Sequence, residues 1–139
     1  MIVRYTRERG YKGLGTDPIL TVGCDYIVLG ILFRPCPDTS QVCILTNKDI
    51  GDHSDGMPFS DGGPGVFDMN LFDVVDPRVP LEWLFVDVGN GYYRLEPDEF
   101  AGDFWNRYND ADQGAETTFE RIVGKLDAFH AAFPHTELR

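Results

Sequence analysis

The side chains best placed to do chemistry together fall between residues 52 and 61, where Asp52, His53, Asp55 and Asp61 bring carboxylates and an imidazole close in sequence. A calcium loop needs alternating oxygens, a glycine turn and a closing bidentate acid at fixed offsets. Asp52, Asp55 and Gly56 miss that spacing and no Glu closes it. A transition-metal site would want more than one His. No metal and no cofactor is therefore expected, and the stretch reads as a solvated, glycine-rich loop. Cys24, Cys36 and Cys43 show no CxxC or Cys/His spacing, so free, buried thiols are expected. His130 falls on the apolar stripe of a helix and reads as a core or boundary imidazole rather than a base. The sequence holds no Gly-x-Ser-x-Gly elbow, phosphate-binding glycine loop or His-Glu-x-x-His. Carboxylates are so numerous that no single pair stands out as a general acid and base. The residue types favour binding over catalysis.

The elements that must position these groups change character along the chain. Residues 26–33 form a continuous apolar run, Tyr-Ile-Val-Leu-Gly-Ile-Leu-Phe, ended by Pro35 and Pro37; this reads as a central strand. Gln41–Thr46 predicts its hairpin partner, Ile2–Tyr5 a first strand, and Leu14–Val22 a loop or an edge strand. Residues 47–65 hold five Gly and two Pro and predict a long irregular loop of the kind that is usually functional or mobile. One strand is expected through Val66–Val75. Trp83–Val88 and Tyr92–Leu95 flank Gly89-Asn90-Gly91, the strongest hairpin signal in the chain. From Pro97 the period becomes helical. Phe100, Phe104 and Tyr108 predict one face of a short helix, and Asp110 with Gln113 a capping box for a second. The stripe of that second helix is Ala115, Phe119, Ile122, Val123, Leu126, His130 and Phe133, with Pro134 as its stop. Strands first and helices last give an α+β domain over residues 1–139: an antiparallel sheet of five to six strands with two C-terminal helices packed on one face.

The chain of 139 residues carries a formal net charge of −11. Two blocks hold the imbalance: residues 38–76 sum to −7 and residues 96–116 to −6, whereas residues 77–95 balance. Such a charge repels the phosphate backbone, so nucleic acid is excluded as a general partner, and a basic protein is favoured. No apolar run approaches the ~20 residues of a membrane span, and the first residues lack a signal-peptide h-region; a soluble, cytoplasmic protein with no membrane partner is expected. The acidic blocks read either as solvated loops and helix N-termini or as a dedicated surface.

Several short stretches resemble the immunity proteins of bacterial polymorphic toxin systems. They are Gly23-x-x-Tyr26-x-Val28-Leu29-x-Ile31, Val79-Pro80-x-x-Trp83, Pro97-Asp98-Glu99-Phe100, and above all Phe104-Trp105-Asn106-Arg107-Tyr108-Asn109-Asp110-Ala111-Asp112. The resemblance implies a non-enzymatic protein that neutralises a cognate toxin domain by covering a basic cleft with acidic surface. The acids available are Asp98, Glu99, Asp103, Asp110 and Asp112, or the loop acids Asp52, Asp55 and Asp61. Trp105, five residues on from Phe100, falls off the stripe and is expected as an exposed anchor. The competing reading is a small enzyme or ligand-binding domain with residues 47–65 as a lid.

Overall fold

A computed structural model describes residues 1–6, 19–46 and 63–132. Seven strands and two helices follow in order: β1 Ile2–Tyr5, β2 Asp25–Phe33, β3 Gln41–Leu45, β4 Pro64–Asp68, β5 Phe72–Asp76, β6 Leu84–Gly89, β7 Tyr92–Glu96, α1 Phe104–Asn109 and α2 Gln113–Ala132. All strand pairs are antiparallel. The expected α+β architecture is present.

β2 organises the sheet because nine apolar-rich residues give it length enough to pair three neighbours. One edge takes β3, which in turn takes β4. The opposite edge is shared: residues 25–27 pair with β1, and residues 31–33 with β7. β1 continues to β5 and β7 to β6, so the sheet forks at β2. A register shift between Val28 and Gly30 changes which alternate residues of β2 share a face with β3.

The strand expected over Val66–Val75 is two strands. Met69–Leu71 forms a 3-10 turn between them, tied by Met69 N–H to the Ser40 carbonyl and by Thr6 N–H to the Leu71 carbonyl. β4 then pairs β3 while β5 pairs β1, at the far side of the sheet. The sheet therefore curves so that β4 approaches β5, with Phe67 edge-on to Phe72 at 6.3 Å. Val3, Tyr5, Tyr26, Val28, Val42 and Ile44 are buried in the resulting core. Pro64 and Gly65, expected in the loop, belong to β4, and the Gly63 carbonyl just before them accepts the Thr46 N–H and hydroxyl at 3.0 and 2.8 Å; residues 47–62 lie outside the described residues.

The β6–β7 hairpin forms as its turn chemistry requires. Asn90 and Gly91 both adopt positive φ (56° and 83°), which suits the twist of the flanking strands. Downstream, Phe100, Phe104 and Tyr108 do not share one helix. Asp98–Phe100 is a 3-10 turn behind Pro97, Gly102 takes φ 67°, and α1 starts only at Phe104. The three rings still stack in series, at 4.7 Å and 6.1 Å. Asp112, not Asp110, caps α2: its carboxylate accepts the Ala115 N–H at 2.9 Å. Ala111, at φ 60°, turns the chain between the helices, and Asp110 is left closing α1. On α2, Ala115, Phe119, Ile122 and Leu126 are buried as the stripe predicts; Phe133 and Pro134 lie outside the described residues. Among those residues no helix is long and apolar enough to cross a membrane.

Candidate functional site

Paired residues in neighbouring strands share a face, so the register sets two rows across β4, β3, β2, β7 and β6. One row is Val66, Cys43, Gly30, Glu96 and Leu84; the next is Asp68, Gln41, Leu32, Arg94 and Val86. Where α1 leaves this face open there is a cavity of about 330 Å³. Its floor is Gly30, and a Cβ there would lie 3.3 Å from the Cβ of Glu96. Its walls include Cys43, Val66, Glu96, Trp105 and Asn109.

Glu96 is the chemical feature of this cavity. It is buried, and loss of hydration raises its carboxyl pKa; the nearby Arg94 charge and a hydrogen bond from the Trp105 indole only partly oppose that. Cys43 faces the same space, and burial, followed by the Glu96 charge, pushes its thiol up to about 12. A thiol held protonated is a poor nucleophile. Cys24 and Cys36 are exposed and Cys43 is half-buried, contrary to the expectation of three buried thiols; all three are free. Cys24 directly precedes β2, and Cys36 lies between prolines beyond its end, where little packs over either.

Trp105 is not an exposed anchor. It is half-buried, tilted against Phe100 at 4.9 Å, edge-on to Phe104 at 5.0 Å and edge-on to Phe119 at 6.2 Å. The break at Gly102 rotates α1 relative to a continuous helix through Phe100, and so brings Trp105 onto the core and over Glu96.

The acids singled out from sequence surround the same helix entry. Asp98, Asp103, Asp110 and Asp112 are exposed and Glu99 is half-buried. Arg107 bridges Asp103 at 3.2 Å and Asp112 at 3.8 Å, and Arg121 reaches Glu99 at 3.4 Å. Among the described residues these five carboxylates outnumber the two guanidinium groups that reach them. Asp52, Asp55 and Asp61 lie outside the described residues. Elsewhere in the 38–76 block Asp68 accepts from Arg34 and Gln41, each at 3.4 Å, while Asp38 and Asp73 are exposed.

A third constellation, invisible in the sequence, joins β5 to α2. Asp76, 1% exposed, accepts from the Arg78 backbone N–H at 3.0 Å and from its guanidinium at 2.9 and 2.6 Å. Those bonds hold its carboxyl well below the usual carboxylate range. His130 Nδ1 lies 3.3 Å from the same carboxylate, close in charge but not aligned as a hydrogen bond. Burial, with the Met1 amine behind it, lowers the imidazole pKa and keeps the ring neutral. His130 lies at the edge of the core as expected, but as an imidazole whose Nδ1 has no hydrogen-bond partner among the described residues rather than a satisfied one. Among the described residues no group of His, Cys, Asp and Glu is arranged to hold a metal ion.

No family model, curated protein or solved structure matches this chain.

Proposed function

We propose that this chain is a binding protein of the immunity type, which neutralises a basic toxin domain by covering its cleft with the acidic surface at the entry to α1 and α2. The observation that carries the reading is the exposure of Asp98, Asp103, Asp110 and Asp112 on short, well-packed elements. Phe100, Phe104 and Phe119 hold that surface rigid from beneath, through stacked rings at 4.7 and 6.3 Å. A fixed, negative, exposed surface speeds encounter with a cationic cleft and disfavours wrong partners. The sequence resemblance points to the same region.

Co-expression with the toxin domain encoded beside it tests the reading: rescue of growth and a complex whose association slows with salt are expected. Replacing Asp98, Asp103 and Asp110 together by Asn should slow association about tenfold at low salt while leaving the fold intact. A parallel variant at Asp52, Asp55 and Asp61 separates the two acidic blocks. Absence of both rescue and complex, or binding indifferent to both variants, overturns the proposal.

The cavity over Gly30 favours a second reading, a small-ligand site, since a buried carboxyl of raised pKa in an apolar pocket is a common binding arrangement. It predicts that Glu96→Gln abolishes a ligand-dependent rise in thermal stability and leaves toxin binding unchanged.

A further inference from the structure

The cavity over Gly30 holds two opposite charges that do not meet. Arg94 and Glu96 are alternate residues of β7, so they share a face, and both line the same space. Gly30 makes room for the carboxylate: a Cβ there would lie 3.7 Å from Glu96 Oε2, at the cavity floor. Loss of hydration raises the Glu96 pKa and the Arg94 charge opposes it, so the two groups feel each other. Among the described residues, however, no salt bridge joins them or pairs Arg94 with any other acid. The Trp105 indole gives the carboxylate one hydrogen bond, of the roughly four that its oxygens can accept. The Arg94 guanidinium brings a fork of N–H donors to the wall of that space. Unmet capacity of both signs faces one cavity.

We infer that this cavity binds a small zwitterion, an α-amino acid with an apolar side chain, its ammonium on Glu96 and its carboxylate on Arg94. This role rests on the cavity being a small-ligand site, and is independent of the acidic surface at α1. Charge selects the ligand. A lone anion would approach a chain of net charge −11 and then meet the Glu96 carboxylate; a lone amine would meet the Arg94 guanidinium. A molecule carrying both charges satisfies each at once and leaves neither buried alone. Distance agrees. Alternate residues of a strand stand about 6.7 Å apart. An ammonium and a carboxylate one carbon apart, each about 2.8 Å from its partner, span that rise. An ammonium beside Glu96 also offsets the loss of hydration that disfavours its charge. The volume, about 330 Å³, is at the lower end for ligand pockets and suits a molecule of amino-acid size. Val66 of β4, Cys43 of β3 and the Trp105 ring of α1 supply the apolar wall for the side chain.

Isothermal titration calorimetry of the chain with L-leucine tests this, and a dissociation constant below about 1 mM is expected. Isocaproate, which lacks the ammonium, and L-leucinamide, which lacks the carboxylate, should each bind at least about tenfold more weakly. Glu96→Gln should weaken leucine about tenfold and bring it level with isocaproate. Arg94→Gln should instead bring leucine level with leucinamide. Loss of fold would not give that crossed pattern, and the circular dichroism of both variants should match the parent. Parent binding of leucine no tighter than of either analogue, or leucine affinity unchanged in both variants, overturns the zwitterion and leaves a small-ligand site standing. No heat from any of the three also overturns it. A thermal-shift panel of amines, organic acids and neutral metabolites then decides the small-ligand reading itself, which falls if nothing in the panel raises Tm.

Discussion

Replacing Asp76 tests whether β5 and α2 are held together by one buried carboxylate. Asp76→Ala removes the acceptor of three hydrogen bonds from Arg78 and the charge facing His130 Nδ1 at 3.3 Å. The Arg78 guanidinium is partly exposed and regains water, so its loss is small. The buried backbone is not rehydrated: the Arg78 N–H loses the carboxylate that accepts it at 3.0 Å, at about 1–3 kcal/mol for a buried unsatisfied group. Adding the space left by the side chain gives a cost of about 3 kcal/mol at pH 7. For a domain of this size that lowers Tm by about 10 °C. Asp76→Asn keeps an acceptor for the backbone N–H and should cost about half as much. The pH dependence follows from the depressed carboxyl pKa. The stability that Asp76 contributes is fully present above the unfolded value, about 4, and is lost as pH falls toward the folded value. Urea unfolding at pH 7, 5 and 3 should therefore show a parent-to-variant gap that is constant down to about pH 5 and narrows below about pH 4. A gap under about 0.5 kcal/mol at pH 7 would place the variant among neutral surface changes and refute the reasoning. So would a gap unchanged through the acid range.

Glu96 has the opposite sign: its raised pKa means that the charged form is disfavoured on folding, so it costs stability as pH rises from the unfolded value of about 4.5 through the folded one. Glu96→Gln should be at least as stable as the parent at pH 7 and lose that advantage at pH 4, measured by thermal melts at both. Gly91→Ala must adopt φ near 83° with a Cβ 3.3 Å from Pro35, and should cost about 1–2 kcal/mol by urea unfolding. Asp112→Ala removes the cap of α2 and should cost about 1 kcal/mol, whereas Asp110→Ala should be within about 0.5 kcal/mol of the parent.

Local chemistry made much of the fold legible. The apolar run of β2 between its turn signals, the Asn90-Gly91 hairpin and the stripe of α2 are each encoded within a few residues, and each forms as read. What escaped depends on partners distant in sequence. Val66–Val75 reads as one alternating strand, yet Met69–Leu71 bends because its ends are claimed by Ser40 and Thr6. The helix face through Phe100, Phe104 and Tyr108 has the right spacing, but Gly102 at φ 67° breaks it. That break also takes Trp105 from an expected surface position to a wall of the cavity. The acids at 98–112 were legible because they are local and exposed. Glu96 was not, since its burial arises from Gly30 opposite it and Trp105 above it, two residues that only the register and the Gly102 turn bring together.

The position of β1 has a kinetic consequence. It lies between β2 and β5, pairing Val3 with Tyr26 on one side and with Val74 on the other. As the chain emerges during synthesis, its first strand has no complete bed until residues 72–76 have followed it. The closing contact spans some seventy residues, and the loop-closure entropy of that span must be met before β1 is held on both edges. Refolding of this chain should therefore fall in the slower, millisecond-to-second regime of sheet proteins with non-local pairing, with the β6–β7 hairpin and α2 ordered before the N-terminal strand is locked.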